Sequence, residues 1–173
     1  MKYFSGFSLK DDDVFFKDIL DETSYCVSGF SYGAIKAFEF VEKEIEEGRR
    51  VDVLQLISPA FFQTKSDKFK RIQTISYIKS EKSYLENFLK MCFNPYAIKD
   101  ITHTENNIDE LNKLLYFIWD KSKIQKLSNI GVRVEVYLGS EDQIIDSLSA
   151  YKFFMDVSTV TYIKNANHFL QIN

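Results

Sequence analysis

Tyr25-Cys26-Val27-Ser28-Gly29-Phe30-Ser31-Tyr32-Gly33-Ala34 reads as a short apolar strand that turns sharply into a helix. The turn carries Gly-x-Ser-x-Gly with Ser31 at its apex. A serine in a strand-to-helix turn sits in a tight backbone conformation, and Gly29 and Gly33 leave room for close packing on both sides. The helix beyond it directs its first N–H groups toward the point where negative charge develops when such a hydroxyl attacks a carbonyl. By chance alone, a five-residue match of this kind arises in roughly one chain of this size in twenty. The flanks therefore carry the inference. Ahead of the motif lies the apolar run Tyr25 to Val27; behind it Ala34, Ala37, Phe38, Val41 and Ile45 recur at helical spacing. The plain alternative is a glycine-flanked turn with a surface serine.

Working outward, Lys2 to Phe4 predicts a brief strand ending in the turn Ser5-Gly6-Phe7-Ser8. Asp11-Asp12-Asp13 predicts the cap of a short helix running to about Leu20. Gly48 ends the helix after the elbow, and Val51 to Ile57 reads as a buried strand stopped by Ser58-Pro59. Residues 61–127 change character, to helices joined by polar turns. Ser66-Asp67 starts one, Ser83-x-x-Glu86 has the form of a capping box, and Ile108, Leu111, Leu115 and Ile118 mark an amphipathic helix after Asn106-Asn107. Strand character returns at Val132 to Leu138, followed by the loop Gly139 to Gln143, a helix over about 146–156, and a last strand from Val157 to Ile163. Alternating strands and helices predict an α/β fold with a mostly parallel sheet, interrupted by a helical segment.

Composition narrows the function classes. The 173 residues are 45% hydrophobic and include 16 Phe, enough for one domain with an aromatic core. A formal net charge of −3 argues against general nucleic-acid binding. The charge is unevenly placed: residues 61–126 hold 12 Lys+Arg against 8 Asp+Glu, a surplus of four cations, in an otherwise acidic chain. Such a segment reads as a docking surface for an acidic partner or as solvated helix faces. Cys26 and Cys92 have no CxxC partner, no metal-ligand spacing is visible, and no run approaches the roughly 18 apolar residues of a membrane span. The expectation is a soluble, cytoplasmic protein with two free thiols and no metal.

In a parallel sheet, sites lie beyond the carboxyl ends of the strands. Three groups fall there: Ser31 after the second strand, Asp142 after the strand ending at Leu138, and His168 after the last strand. In a hydrolytic site Ser31 would attack an acyl carbon, His168 would carry the proton, and Asp142 would hold the imidazole. His103, in the polar stretch Ile101 to Glu105, is the one rival base, and Asp146 is the rival acid, although an N-cap role suits it.

With these residues in place the chain resembles the α/β-hydrolases, and within them it is similar to the short form of the pimeloyl-[acyl-carrier-protein] methyl ester esterases of biotin synthesis. The resemblance covers nearly the whole chain. It rests on Phe4-Ser5-Gly6-Phe7, Gly29-Phe30-Ser31-Tyr32-Gly33, Ile57-Ser58-Pro59-Ala60-Phe61, Gly139-Ser140-Glu141-Asp142 and Asn167-His168-Phe169. It implies a truncated α/β-hydrolase fold of about five strands, with a core at 1–60 and 128–173 and a helical lid at 61–127. It also implies an oxyanion hole from the backbone N–H groups of Phe7 and Tyr32, and an acyl channel lined by Phe7, Phe30 and Tyr32. Asn167 stands where the family commonly has glycine, a position that often needs positive φ, which Asn tolerates.

The activity so implied is cofactor-free hydrolysis of a methyl ester carried on acyl carrier protein. That partner is acidic and helical, so its dock is expected to be basic. On a helix through 67–80, Lys68, Arg71 and Lys79 lie within about 80° of one another, with Lys70 off that face. Two readings compete with this one: an esterase or thioesterase acting on another acyl substrate, and a hydrolase-like binding module without activity.

Overall fold

The structure, a computed structural model, describes residues 1–173. Five strands form one sheet: β1 (Lys2–Phe4), β3 (Cys26–Phe30), β4 (Val53–Ile57), β6 (Arg133–Gly139) and β7 (Thr159–Ile163), side by side in that order. Every pairing is parallel. β3 and β4 are buried along their whole length, which explains their near-continuous apolar sequences. The one polar row across them, Ser28, Gln55 and Glu135 in register, is satisfied internally: Gln55 accepts from Ser28 at 3.0 Å and donates to Glu135 at 3.0 Å.

Helix α1 (Tyr32–Glu46) packs on β1, β3 and β4, burying Ala34, Ile35, Ala37, Phe38 and Val41. Its end is marked by Gly48 at φ 73°. Helix α5 (Lys121–Asn129) packs on β6, and α6 (Ser147–Phe154) on β6 and β7. Between β4 and α5 the chain forms α2 (Asp67–Lys79), α3 (Glu81–Phe93), the two-residue strand β5 (Thr102–His103) and α4 (Ile108–Tyr116). Here α2 packs against both α3 and α4. Trp119 closes the stem of this insertion. Its indole N–H donates to the Ala60 carbonyl at 2.9 Å and its backbone N–H to Gln63 Oε1 at 2.8 Å. Ion pairs Lys36–Glu110 (3.0 Å) and Lys113–Glu39 (2.6 Å) fasten α4 to α1.

Several local expectations change. The helix expected from Asp11 is a 3-10 turn, Asp12–Phe15, with Asp11 at φ 57° and no side-chain cap. The N-cap of α3 is Ser80, whose hydroxyl accepts from Ser83, so Ser83-x-x-Glu86 lies inside the helix instead of starting it. α4 ends at Tyr116 because Phe117 is extended, and Ile118 is 61% exposed, outside the stripe formed by Leu111 and Leu115. α5 packs on the sheet, so the helices standing apart from it end at Tyr116 and not at residue 127. β5 pairs antiparallel with β2 (Leu9–Lys10), placing exposed His103 opposite Leu9.

Candidate active site

The elbow is strained where the motif places it. Ser31 has φ 54° and ψ −114°, a region that L-residues rarely occupy and that costs about 1–3 kcal/mol. The surroundings over-determine it. The Ser31 N–H donates to the Ile57 carbonyl at 2.9 Å, and its carbonyl accepts from Ala34 and Ala60, each at 3.1 Å. A Cβ on Gly29 would run into the Gly33 carbonyl, and one on Gly33 into the carbonyls of Phe4 and Ser5. The two motif glycines therefore let the first turn of α1 lie directly against β3 on one side and the end of β1 on the other.

His168 and Asp142 meet this serine. His168 Nε2 lies 3.0 Å from Ser31 Oγ, and His168 Nδ1 lies 2.6 Å from Asp142 Oδ2. Both the imidazole and the carboxylate are shut off from solvent. The other oxygen of Asp142 accepts the N–H groups of Ile144 (2.8 Å) and Ile145 (3.2 Å), which fixes the carboxylate plane. The loop carrying His168 is tied down at several points. Ser58 donates to the His168 carbonyl at 2.8 Å, and Glu141 N–H donates to the Ala166 carbonyl at 2.8 Å. Asn167, fully buried, donates to the Phe93 carbonyl (2.7 Å) and to Gln171 (2.7 Å) and accepts from the N–H groups of Phe169 and Gln171. Its role is this side-chain hub; the left-handed residues of the loop are Asn165 and Leu170.

The two rival groups lie elsewhere. His103 is exposed in β5, and Asp146 is the N-cap of α6, accepting from the Ser149 N–H (3.0 Å) and hydroxyl (2.7 Å). Those bonds hold the Asp146 carboxyl below the usual aspartate range. Neither cysteine competes with Ser31 as a nucleophile: burial pushes both thiols up, keeping them protonated.

The N–H of Phe7 donates to nothing within the protein, and that of Tyr32 belongs to the first turn of α1, where no helical acceptor exists. Their rings meet edge to face at 6.4 Å. Phe7 continues into an aromatic group with Tyr77 and Phe88, both at 6.3 Å.

A cavity of about 580 Å³ lies under the insertion, walled by Phe7, Phe62, Phe69, Tyr84, Phe88 and Leu115, among others. It reaches Gln143 and Ile144, next to Asp142. Of the three residues expected along an acyl channel, only Phe7 lines it. Phe30 is fully buried against His168 at 5.0 Å and belongs to the core under the imidazole, and Tyr32 stands behind Phe7.

Lys68, Arg71 and Lys79 are exposed on α2, and none forms an ion pair within the chain, whereas Lys36, Lys113 and Lys123 on neighbouring helices do. Lys70, in contrast, is buried over the Tyr116 ring at 5.1 Å. Sequence reasoning missed the apolar residues that share this face. Ile72, Ile75 and Ile78 are 48%, 59% and 70% exposed. At about 100° per residue all six fall within about 120° of one another. The signal was an isoleucine every third residue on a helix whose buried face is Phe69, Lys70 and Tyr77.

No family model matches the sequence, and no curated protein matches it. Solved structures do match in fold. The naproxen esterase (carboxylesterase NP) of Bacillus subtilis superposes with a TM-score of 0.56 at 16% identity over 85% of this chain and 54% of that one. Est816, described as an N-acyl homoserine lactone degrading enzyme, gives 0.62 at 12% identity, over 98% of this chain and 86% of that one. The chain spans about half the length of the larger esterases it resembles. Its fold is that of the α/β-hydrolases. BioG from Haemophilus influenzae has similar dimensions: TM-score 0.54, 11% identity, 97% of this chain and 87% of that one.

Proposed function

We propose that this protein is a serine carboxylesterase that hydrolyses the methyl ester of pimeloyl-acyl-carrier-protein methyl ester. The observation that carries the reading is the hydrogen-bonded series Ser31–His168–Asp142, at 3.0 and 2.6 Å, buried beside an apolar cavity. In the reaction His168 takes the Ser31 proton as Oγ bonds to the ester carbon. The oxyanion receives the N–H groups of Phe7 and Tyr32. As the carbon–methoxy bond breaks, His168 passes its proton to methoxide and methanol leaves. Water then gives a proton to His168 as its oxygen attacks the acyl carbon, and Ser31 recovers that proton as the carboxylic acid departs, to ionise in solution. Asp142 holds the imidazole in the tautomer that this sequence needs. No cofactor takes part.

Three features support the carrier-bound substrate. The cavity is of a size for a methylene chain, within the roughly 300–1,000 Å³ of small-molecule sites. Lys79 lines it as well as belonging to the unpaired basic face of α2. BioG, whose dimensions the chain nearly shares, stands among its structural neighbours. In this reading α2, α3 and α4 form the lid, and Lys68, Arg71 and Lys79 receive acidic side chains of the carrier around an apolar centre at Ile75. Two buried free thiols suit a cytoplasmic enzyme, and no helix is long and apolar enough to cross a membrane.

The test is incubation of the purified protein with the methyl esters of free and carrier-bound pimelate, with methanol release as the readout. The reading expects the carrier-bound ester to be the better substrate by kcat/KM. Equal turnover of free and carrier-bound esters would assign a general esterase, and absence of turnover on both would remove the activity.

A further inference from the structure

The loop Ser5–Ser8 follows β1, a strand of three residues. A second oxyanion donor on this loop needs its N–H aimed. The side chain of Asp12 is placed to do so. Asp12 is fully buried, and its Oδ2 accepts the Gly6 N–H at 2.9 Å. On the other side of the same residue the Gly6 carbonyl accepts the Leu9 N–H at 3.2 Å. A peptide unit is planar and trans, so a carbonyl turned toward Leu9 turns the Phe7 N–H the opposite way. With both polar groups of Gly6 held, the direction of the Phe7 N–H is fixed.

The loop is also held at its two ends. Gly33 presses on the carbonyls of Phe4 and Ser5, Thr104 N–H donates to the Ser8 carbonyl at 3.1 Å, Asn106 donates to the Ser8 hydroxyl at 3.1 Å, and the Phe7 ring is buried. None of these hydrogen bonds is made by the polar atoms of the Gly6–Phe7 peptide. The conformation is demanding, with Ser8 at φ 62° and Asp11 at φ 57°. The burial of Asp12 is itself uncommon, since an aspartate is seldom enclosed. The buried Tyr3 hydroxyl lies beside the carboxyl, and the bond from the Gly6 N–H ties that carboxyl to the loop.

We propose that Asp12 is a positioning residue for the reaction, holding the Gly6 N–H so that the Phe7 N–H faces the oxyanion. The proposal rests on the acyl-transfer reading of Ser31. It concerns the acceptor atom and not the charge, so an amide oxygen serves as well.

The test compares Asp12→Ala with Asp12→Asn on p-nitrophenyl acetate and on the rate of inactivation by a fluorophosphonate, with melting temperature recorded for each. Asp12→Asn, whose Oδ1 still accepts from Gly6, is expected to keep kcat within about threefold. Asp12→Ala is expected to lose kcat by about 10- to 100-fold with KM within about twofold, and inactivation should slow in parallel. That is less than the roughly 10²–10³ from deleting an oxyanion donor outright, because the N–H remains but is no longer aimed. A folded Asp12→Ala with unchanged kcat overturns the proposal, as does a folded Asp12→Asn that loses 100-fold. If Asp12→Ala does not fold, the Asp12→Asn result decides alone. Ser31→Ala in the same assays separates the two levels. If it retains turnover, the acyl-transfer reading fails; if it is dead while Asp12→Ala is normal, only the positioning role fails.

Discussion

At the residue scale, three side chains separated by up to 137 positions in sequence stand within hydrogen-bonding distance in series. Ser31→Ala and His168→Ala are each expected to lose roughly 10³–10⁶ in kcat, and the double variant to be little worse than either, since residues that act as a unit do not lose additively. Single-turnover assays on the three variants check this. Asp142→Asn should keep the fold and lose up to about 10⁴ in kcat, because an amide opposite Nδ1 favours the wrong imidazole tautomer. Asp146→Ala should leave kcat almost unchanged and lose about 1 kcal/mol of stability through the missing cap. That stability has a pH signature. The folded-state pKa of Asp146 is lowered, by its bonds to Ser149, so its contribution is complete above the unfolded aspartate value near 3.9 and is lost as pH falls through the lower folded value. Acid unfolding of wild type and Asp146→Ala should therefore converge as pH drops. A kinetic loss that follows Asp146 in place of Asp142 would reverse the two assignments. The residues that sequence revealed here are those whose type is dictated by chemistry. The bonds that Asp12 and Ser58 make escaped because their partners are backbone groups brought close only by the fold, and Asn167 was read for its backbone angle and not for its side-chain bonds. Asp12 in particular read only as part of the capping stretch Lys10 to Asp13; it is instead the first residue of a 3-10 turn with no side-chain cap.

At the scale of elements, β3, the elbow and α1 were legible because burial imposes one pattern on the strand and another on the helix, and the motif fixes where they join. Gly33→Ala tests that junction. Its Cβ would meet the backbone carbonyls of Phe4 and Ser5, which do not yield as a flexible side chain does. Both melting temperature and kcat are expected to fall, and a variant that is stable and fully active would show the contact to be looser than described. Helix α2 carries a different prediction. Lys68→Glu with Arg71→Glu should raise KM for the carrier-bound ester severalfold and leave p-nitrophenyl acetate alone. Salt raised from about 50 to 500 mM should reproduce part of that rise, since it screens exposed charges over about 8–10 Å. The isoleucines add a part that salt does not screen, so Ile75→Asp should raise KM at both salt concentrations. If neither the charge reversal nor Ile75→Asp moves KM for the carrier substrate, this face is not the dock. The short elements were the ones sequence misjudged. A two-residue strand such as β5 has no periodicity to read, and α4 stops at Tyr116 because the chain must turn to seat Trp119 against Ala60.

At the scale of the molecule, the strand order β1-β3-β4-β6-β7 sets Ser31, Asp142 and His168 beyond the carboxyl ends of three parallel strands, the last two adjacent. That arrangement followed from alternation and topology alone, and the comparison with known structures supports the fold. Substrate identity is less legible, because the proposed carrier-bound chain would be recognised by cavity shape and by a surface, and neither leaves a spaced motif. The central claim concerns which bond breaks. Attack at the methyl ester expels methanol and leaves the whole carrier joined to Ser31 through the pimeloyl chain. Attack at the thioester would release the carrier thiol and leave only a small acyl group on the serine. Rapid acid quench of the protein with the carrier-bound methyl ester, followed by intact mass measurement and peptide mapping, distinguishes the two. The esterase mechanism predicts a covalent species with the mass of protein plus acylated carrier less methanol, attached at Ser31 and absent in Ser31→Ala. A small acyl adduct on Ser31 with free carrier thiol, or turnover that persists in Ser31→Ala, would contradict it.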